Sequence, residues 1–140
     1  RQPPHHSYAA AIPTFLSAAF QNKPLPVYGD GKQTRDFTYV DSVTKTIISA
    51  IENQTSYPEP VNLAFGSQTS ILDLIEEIED ILGRNLAIDF LPPRVGDVTH
   101  SYADNKILQK LFPDVKATQL SEGIKETITW FEKERPWENS

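Results

Sequence analysis

Two arginines lie in loops whose neighbours suit a binding surface better than a core. Arg35 falls in YGDGKQTRDFTYVD, residues 28–41, which packs glycines, aromatics and one guanidinium between a predicted strand and a predicted helix. Arg94 falls in PPRVGDVTHSYAD, residues 92–104, beside a Gly-Asp pair and behind two prolines that stiffen the approach. A guanidinium is planar, permanently charged, and carries a fork of donors that matches phosphate oxygens. Two such forks on separate loops, converging on one diphosphate, form a dianion site in which each charge-assisted contact contributes about 1.5–3 kcal/mol. Taken singly, either loop is also ordinary turn chemistry, since Gly-Asp-Gly serves turns wherever it occurs.

Other groups are weaker candidates. His5 and His6 sit in a Pro-rich segment and His100 stands alone; with no carboxylate cluster beside them, they read as solvated side chains and no metal site is expected. The chain has no cysteine, which removes a disulfide framework and a thiolate zinc site. A formal net charge of −6 argues against tracking nucleic acid or anionic lipid, because both demand a basic field. No apolar run approaches the length of a membrane span, so a soluble cytoplasmic setting is expected. At 140 residues and 39% hydrophobic content the chain can support one domain with a core. It starts at Arg1 and contains no methionine, so a fragment or a processed product is expected.

The elements that must position the two loops follow from periodicity. Ile12, Phe15, Leu16, Ala19 and Phe20 share one helical face, predicting a helix over 12–22 with Pro13 tolerated in its first turn. Residues 23–34 read as a brief strand ending in a glycine turn. Val40, Val43, Ile47, Ile48 and Ile51 mark a second amphipathic helix ending near Asn53, with Asp41 facing its N-terminal amides. Val61, Leu63 and Phe65 alternate with Asn62 and Ala64 as in a half-buried strand, which Gly66 ends. Ser70 and Asp73 resemble a capping box before Ile71, Leu74, Ile75, Ile78, Ile81 and Leu82, a helix stopped by Gly83. Leu86, Ile88 and Phe90 supply another strand, Asp104 is the expected cap of a short helix, and Leu120, Ile124, Ile128 and Phe131 define the last helix despite Gly123 inside it. The expected class is α/β: a small mixed lobe of four to five helices and a few short strands. No strand runs into a G-x-G-x-x-G turn, so a complete Rossmann sheet is not expected.

With the elements placed, four blocks resemble one family in order. YGDGKQTRDFTYVD is similar to the Y-G-D-G-x-x-T-R-D-F-x-x-V-x-D signature of extended short-chain dehydrogenase/reductases that act on nucleotide sugars. RQPPHHSYAAAIPTF, PPRVGDVTHSYADNKILQKLF and LSEGIKETITWF resemble segments of the nucleotide-sugar 4-epimerases that lie after the catalytic half. Gln68 and Gln119 depart from the pattern, where a glycine and a serine cap are usual.

The resemblance implies that residues 1–140 are a C-terminal nucleotide-sugar-binding domain, with NAD bound by an N-terminal Rossmann domain absent from this chain. It implies that Arg35 and Arg94 grip the diphosphate of a UDP-sugar, that Asp97 bonds the ribose, and that backbone at Pro26, Val27 and Tyr28 meets the base. Tyr8 would line the hexose end, and the small Ser101 would leave room for an N-acetyl group, favouring UDP-N-acetylglucosamine over UDP-glucose. Tyr28 and Lys32 have the Y-x-x-x-K spacing of the family's catalytic pair, but Gly29, Asp30 and Gly31 between them make a turn, so no catalytic residue is expected here. The full-length enzyme would be a homodimer through the missing domain. A 4,6-dehydratase or UDP-glucuronate decarboxylase would use the same lobe, and a stand-alone, non-catalytic nucleotide-sugar-binding module is the alternative of another class.

Overall fold

The computed structural model describes residues 10–138. The first helix, α1, spans Ala11–Phe20 and buries Phe15, Leu16 and Ala19. Pro13 sits in its first turn, where the missing N–H removes no helical bond. Its C-terminal carbonyls are met from a distant loop: Arg84 donates to Ala19 O at 2.6 Å and to Asn22 Oδ1 at 2.9 Å. After a short connection come β1, Leu25–Tyr28, and the two-residue β2, Thr34–Arg35. The second helix, α2, spans Val40–Glu52; β3 is Thr69–Ser70 and runs directly into α3, Ile71–Leu82. Then follow β4, Ile88–Leu91, α4, Lys106–Leu111, and α5, Leu120–Glu134, before a 3₁₀ turn at Pro136–Glu138.

The strands make two small sheets. β1 pairs in parallel with β4, Leu25 opposite Ile88 and Tyr28 opposite Leu91, while β2 pairs antiparallel with β3. A parallel pair needs a long crossover, and here the crossover holds β2, α2, β3 and α3. Leu16, Leu25, Val27, Leu74, Ile75, Ile78, Ile124 and Phe131 form the core between α1, β1, α3 and α5. The C-terminal turn closes it: the Trp137 ring stacks on Phe20 with centroids 4.6 Å apart and lies 5.9 Å from Phe131. The result is the mixed α/β lobe expected, with five α-helices and few short strands among the described residues. No helix of these residues is long and apolar enough to cross a membrane.

Local expectations fare unevenly. Ser70 Oγ accepts from the Asp73 amide at 3.0 Å and the Asp73 carboxylate accepts from the Ser70 amide at 3.1 Å, so the capping box is real. Gly83 ends α3 in the left-handed region, as read. The strand over 61–65 does not form: the segment has no ladder partner, and the antiparallel pairing falls instead on Thr69 and Ser70. Asp104 does not cap α4 as expected, because the N-cap position is Asn105; the Asp104 carboxylate accepts from the Lys106 amide at 2.9 Å, and that bond holds its acid below the ordinary range. In α2 the side turned inward is polar, with Ser42 and Thr46 buried, while Val40 (60% exposed), Ile47, Ile48 and Ile51 (71%) face out. Ser42 Oγ accepts from the Thr118 amide at 2.9 Å, which ties α2 to the segment leading into α5. Asp41 pairs along the helix with Lys45 at 2.6 Å, and this pairing raises the Lys45 ammonium's pKa.

Gly123 has a packing reason. A Cβ there would lie 3.0–3.2 Å from Tyr39 ring and Cβ atoms, so α5 passes close to the residue that precedes α2. Although alanine is the better helix former by about 1 kcal/mol, Gly123→Ala is expected to lower the melting temperature, since overpacking against a backbone-proximal Cβ costs about 1–3 kcal/mol. Ser70→Ala, which removes one half of the capping box, is expected to cost about 1 kcal/mol in chemical denaturation.

Candidate functional site

The site is assembled at the ends of the parallel pair. Because β1 and β4 run the same way, the chain leaving Tyr28 and the chain leaving Leu91 emerge side by side, and Gly29 N extends the ladder by donating to Leu91 O at 2.9 Å. Between these two exits lies a cleft of about 760 Å³, walled by Tyr28, Gly29, Asp30 and Gln33 on one side and by Phe90, Leu91, Pro93, Arg94, Asp97, Val98 and Thr99 on the other. The carboxyl ends of parallel strands are where open α/β sheets hold ligands.

The glycine turn after β1 is held rigidly. Gly31 has φ +75°, and a Cβ there would lie 2.8 Å from the Leu72 side chain, so only glycine lets the turn approach α3 this closely. Leu72 N donates to Gly31 O and Ile71 N to Gln33 O, stapling the turn to the start of α3. Within it the Lys32 amide donates to Asp30 Oδ1 at 3.0 Å, and Gln33 Nε2 donates to Tyr28 O at 2.7 Å. Tyr28 closes a strand and Lys32 follows two glycines with positive φ, so the Y-x-x-x-K string makes no helical turn and its side chains are not stacked.

Across the cleft, the loop after β4 is tied to β2. Thr34 N donates to Thr99 O, Ser101 N donates to Thr34 O, and Thr34 Oγ1 lies 3.0 Å from His100 Nδ1. Arg35 reaches into this loop: Nη1 donates to Val98 O at 2.7 Å and to Thr34 O at 2.9 Å, and Nη2 lies 2.5 Å from Asp97 Oδ1. Arg94 lies over the Tyr28 ring, its guanidinium carbon 3.8 Å from the ring centroid. A cation over an aromatic face gains about 0.5–1 kcal/mol at exposed sites, enough to hold the side chain against the wall. Asp97 N donates to Arg94 O at 3.2 Å, making one tight turn of the two residues.

The structure therefore brings Tyr28, Arg94 and Asp97 onto one cleft and joins Arg35 to it through Asp97 and Val98. Arg35 stands behind that wall, about a quarter exposed. Val27 is buried in the core and Pro26 lies opposite Asp89 in the ladder. Ser101 is exposed beside His100, off the cleft wall. Tyr8, His5 and His6 lie outside the described residues. The sequence reading passed over Gln33, Phe90 and Pro93; of these only the adjacency of Pro93 to Arg94 carried a signal.

Asp36, next to Arg35, performs a different task. Its carboxylate accepts from Gly66 N at 2.9 Å and from Ser67 Oγ at 2.8 Å, and so fixes the loop that leads into β3. Since β3 pairs with β2, Arg35 opposite Thr69, this carboxylate helps hold the strand from which Arg35 reaches out.

Comparison with known proteins agrees with the motifs. Residues 1–64 match the model of the NAD dependent epimerase/dehydratase family. The chain is 32% identical over 130 residues, 93% of its own length and 40% of the relative's, to an uncharacterised UDP-glucose epimerase, YtcB, of Bacillus subtilis. It is 34% identical over 137 residues to a UDP-N-acetyl-alpha-D-glucosaminuronate decarboxylase of Bacillus cytotoxicus, covering 89% of this chain and 40% of that one. Among solved structures, the UDP-N-acetylglucosamine 4-epimerase of Methanobrevibacter ruminantium M1, in complex with UDP-N-acetylmuramic acid, superposes with a TM-score of 0.86 at 36% identity, covering 95% of this chain and 42% of that one. The chain thus spans about two fifths of the length of the proteins it matches. Motifs, relatives and fold together establish that it belongs to the NAD dependent epimerase/dehydratase family.

Proposed function

We propose that these residues are the nucleotide-sugar-binding lobe of a UDP-sugar 4-epimerase. The observation that carries the reading is the meeting of Arg94, Asp97 and Tyr28 on one cleft, with Arg35 bonded into its wall. The diphosphate lies against the Arg94 fork and the unused donors of Arg35. Asp97 receives the ribose hydroxyls. In a parallel ladder alternate residues face the partner strand; Leu25 and Gly29 donate to β4, so the amide and carbonyl of Val27 face β4 as well. The Pro26 carbonyl and the Tyr28 amide then point to the other edge, one acceptor and one donor that suit the edge of a base, while the Tyr28 carbonyl accepts from Gln33 and Val27 contributes packing.

Among the described residues the glycine turn leads into β2 and not directly into a helix, and the first amides of α3, Ile71 and Leu72, already donate to Gln33 O and Gly31 O. In the proposal NAD is held by other polypeptide, where it supplies hydride removal and return at C4 of the sugar. The task of this chain's residues is to fix the nucleotide so that the hexose is presented, and can be turned over, against a reactive atom held elsewhere. The decarboxylase among the relatives fits the same binding role, since the difference in chemistry would lie outside these residues.

Titration calorimetry of the complete protein tests the reading. Arg94→Ala and Arg35→Ala are each expected to weaken UDP, UDP-N-acetylglucosamine and TDP-glucose by about tenfold or more, the equivalent of one lost charge-assisted contact. Unchanged affinity in both variants would remove the site assignment. In the proposal the hexose runs past the cleft wall toward Ser101, whose small side chain leaves room for an N-acetyl group, so turnover of UDP-N-acetylglucosamine is expected to exceed that of UDP-glucose, and the reverse preference would reject that part of the proposal.

A further inference from the structure

We infer that Asp97 determines specificity by making the cleft prefer a nucleoside diphosphate to inorganic phosphates, because it occupies Arg35 until a ligand arrives with ribose hydroxyls to replace that partner. The inference rests on the reading above and adds a competition that the geometry contains. Three of the five N–H donors of Arg35 are already used, on Thr34 O, Val98 O and Asp97 Oδ1. The two donors left are Nε–H and one Nη2–H, the second on the nitrogen that already bonds Asp97, so an anion that takes both must share that edge of the guanidinium with the carboxylate. Asp97 itself lines the cleft, 39% exposed, so the same anion also approaches a carboxylate of its own sign.

The two ligand classes meet this pair differently. Bare pyrophosphate competes with Asp97 at Nη2 of Arg35 and leaves the weakened carboxylate beside two phosphates with no donor in exchange. A nucleoside diphosphate meets the same competition at Arg35 but brings two hydroxyl donors on its ribose, and hydrogen bonds to an ionised acceptor are the strong ones. The pair is partly exposed and so only moderately strong, which keeps the exchange within reach of an ordinary ligand. Asp97 thus imposes a cost on every anion and returns it only to one carrying a nucleoside.

The test compares UDP with inorganic pyrophosphate by titration calorimetry on the complete protein. Asp97→Asn is expected to bind pyrophosphate about threefold tighter, the scale of an exposed ion pair, while UDP weakens about tenfold. The pyrophosphate gain should vanish in Arg35→Gln/Asp97→Asn, because it acts through the released guanidinium. Asp30→Asn, which removes a charge from the facing wall without touching Arg35, should show no comparable gain. In the unsubstituted protein, 2′,3′-dideoxy-UDP should lose most of the advantage of UDP over pyrophosphate, a comparison that needs no variant to fold. Pyrophosphate affinity unchanged or reduced in Asp97→Asn, a gain that survives loss of Arg35, or dideoxy-UDP binding as well as UDP would each overturn the inference while leaving the nucleotide site intact. Failure of UDP to bind, or UDP binding indifferent to both Arg94→Ala and Arg35→Ala, would instead reject the proposed function and this inference with it.

Discussion

Because β1 and β4 run parallel, the two loops that carry this protein's charged side chains begin side by side at Tyr28 and Leu91. A parallel pair of four-residue strands is weak by itself. It persists here because Leu25 and Val27 point into a core shared with α1, α3 and α5. Each buried aliphatic side chain contributes about 1.5–3 kcal/mol, so the core holds the strands, and the strands hold the cleft. The glycine turn is the other half of the constraint. Pressed against Leu72 and bonded to the first residues of α3, it fixes how Gln33, Thr34 and Arg35 leave the first wall and cross to the second.

That crossing explains why the two arginines are not equivalent. Arg94 lies on the cleft surface, restrained by one aromatic ring and open to solvent on its other side. Arg35 is a structural tie, binding two backbone carbonyls and the Asp97 side-chain carboxylate before any ligand is considered. Its neighbour Asp36 is likewise spent on backbone and hydroxyl donors of the 66–67 loop. A short acidic-basic sequence therefore divides into one side chain that organises the loop bearing Asp97 and another that organises the loop before β3.

The stretch from α2 to residue 68 follows a different rule. Its helix carries a clear apolar stripe, yet the stripe faces outward and the buried side is the serine and threonine one. The alternating segment at 61–65 has a strand's pattern and no strand beside it. Both are cases in which a periodicity states that a face is suited to burial without stating against what. Among the described residues nothing covers that stripe, so the helix is held by the Ser42–Thr118 hydrogen bonds and by the approach of Tyr39 to Gly123.

Much of the local structure was legible in the residues alone, since it depends on neighbours in the chain. The capping box at Ser70 and Asp73, the stop at Gly83, the helical faces of α1, α3 and α5, and the turn that breaks up Tyr28 and Lys32 all arise from contacts within a few residues. The four motif blocks likewise identified the family, because motif order survives in sequence. Other features were not legible. The strand expected at 61–65, the reason for Gly123, the cleft role of Gln33 and Phe90, and the commitment of Arg35 to Asp97 each depend on a partner tens of residues away or on one that is missing. Sequence determined where the helices lie and which side chains carry charge, because those follow from local bonding and side-chain chemistry. Only the tertiary structure decided which charges face each other, because the parallel pairing of β1 with β4 brings together loops sixty residues apart that no local pattern connects.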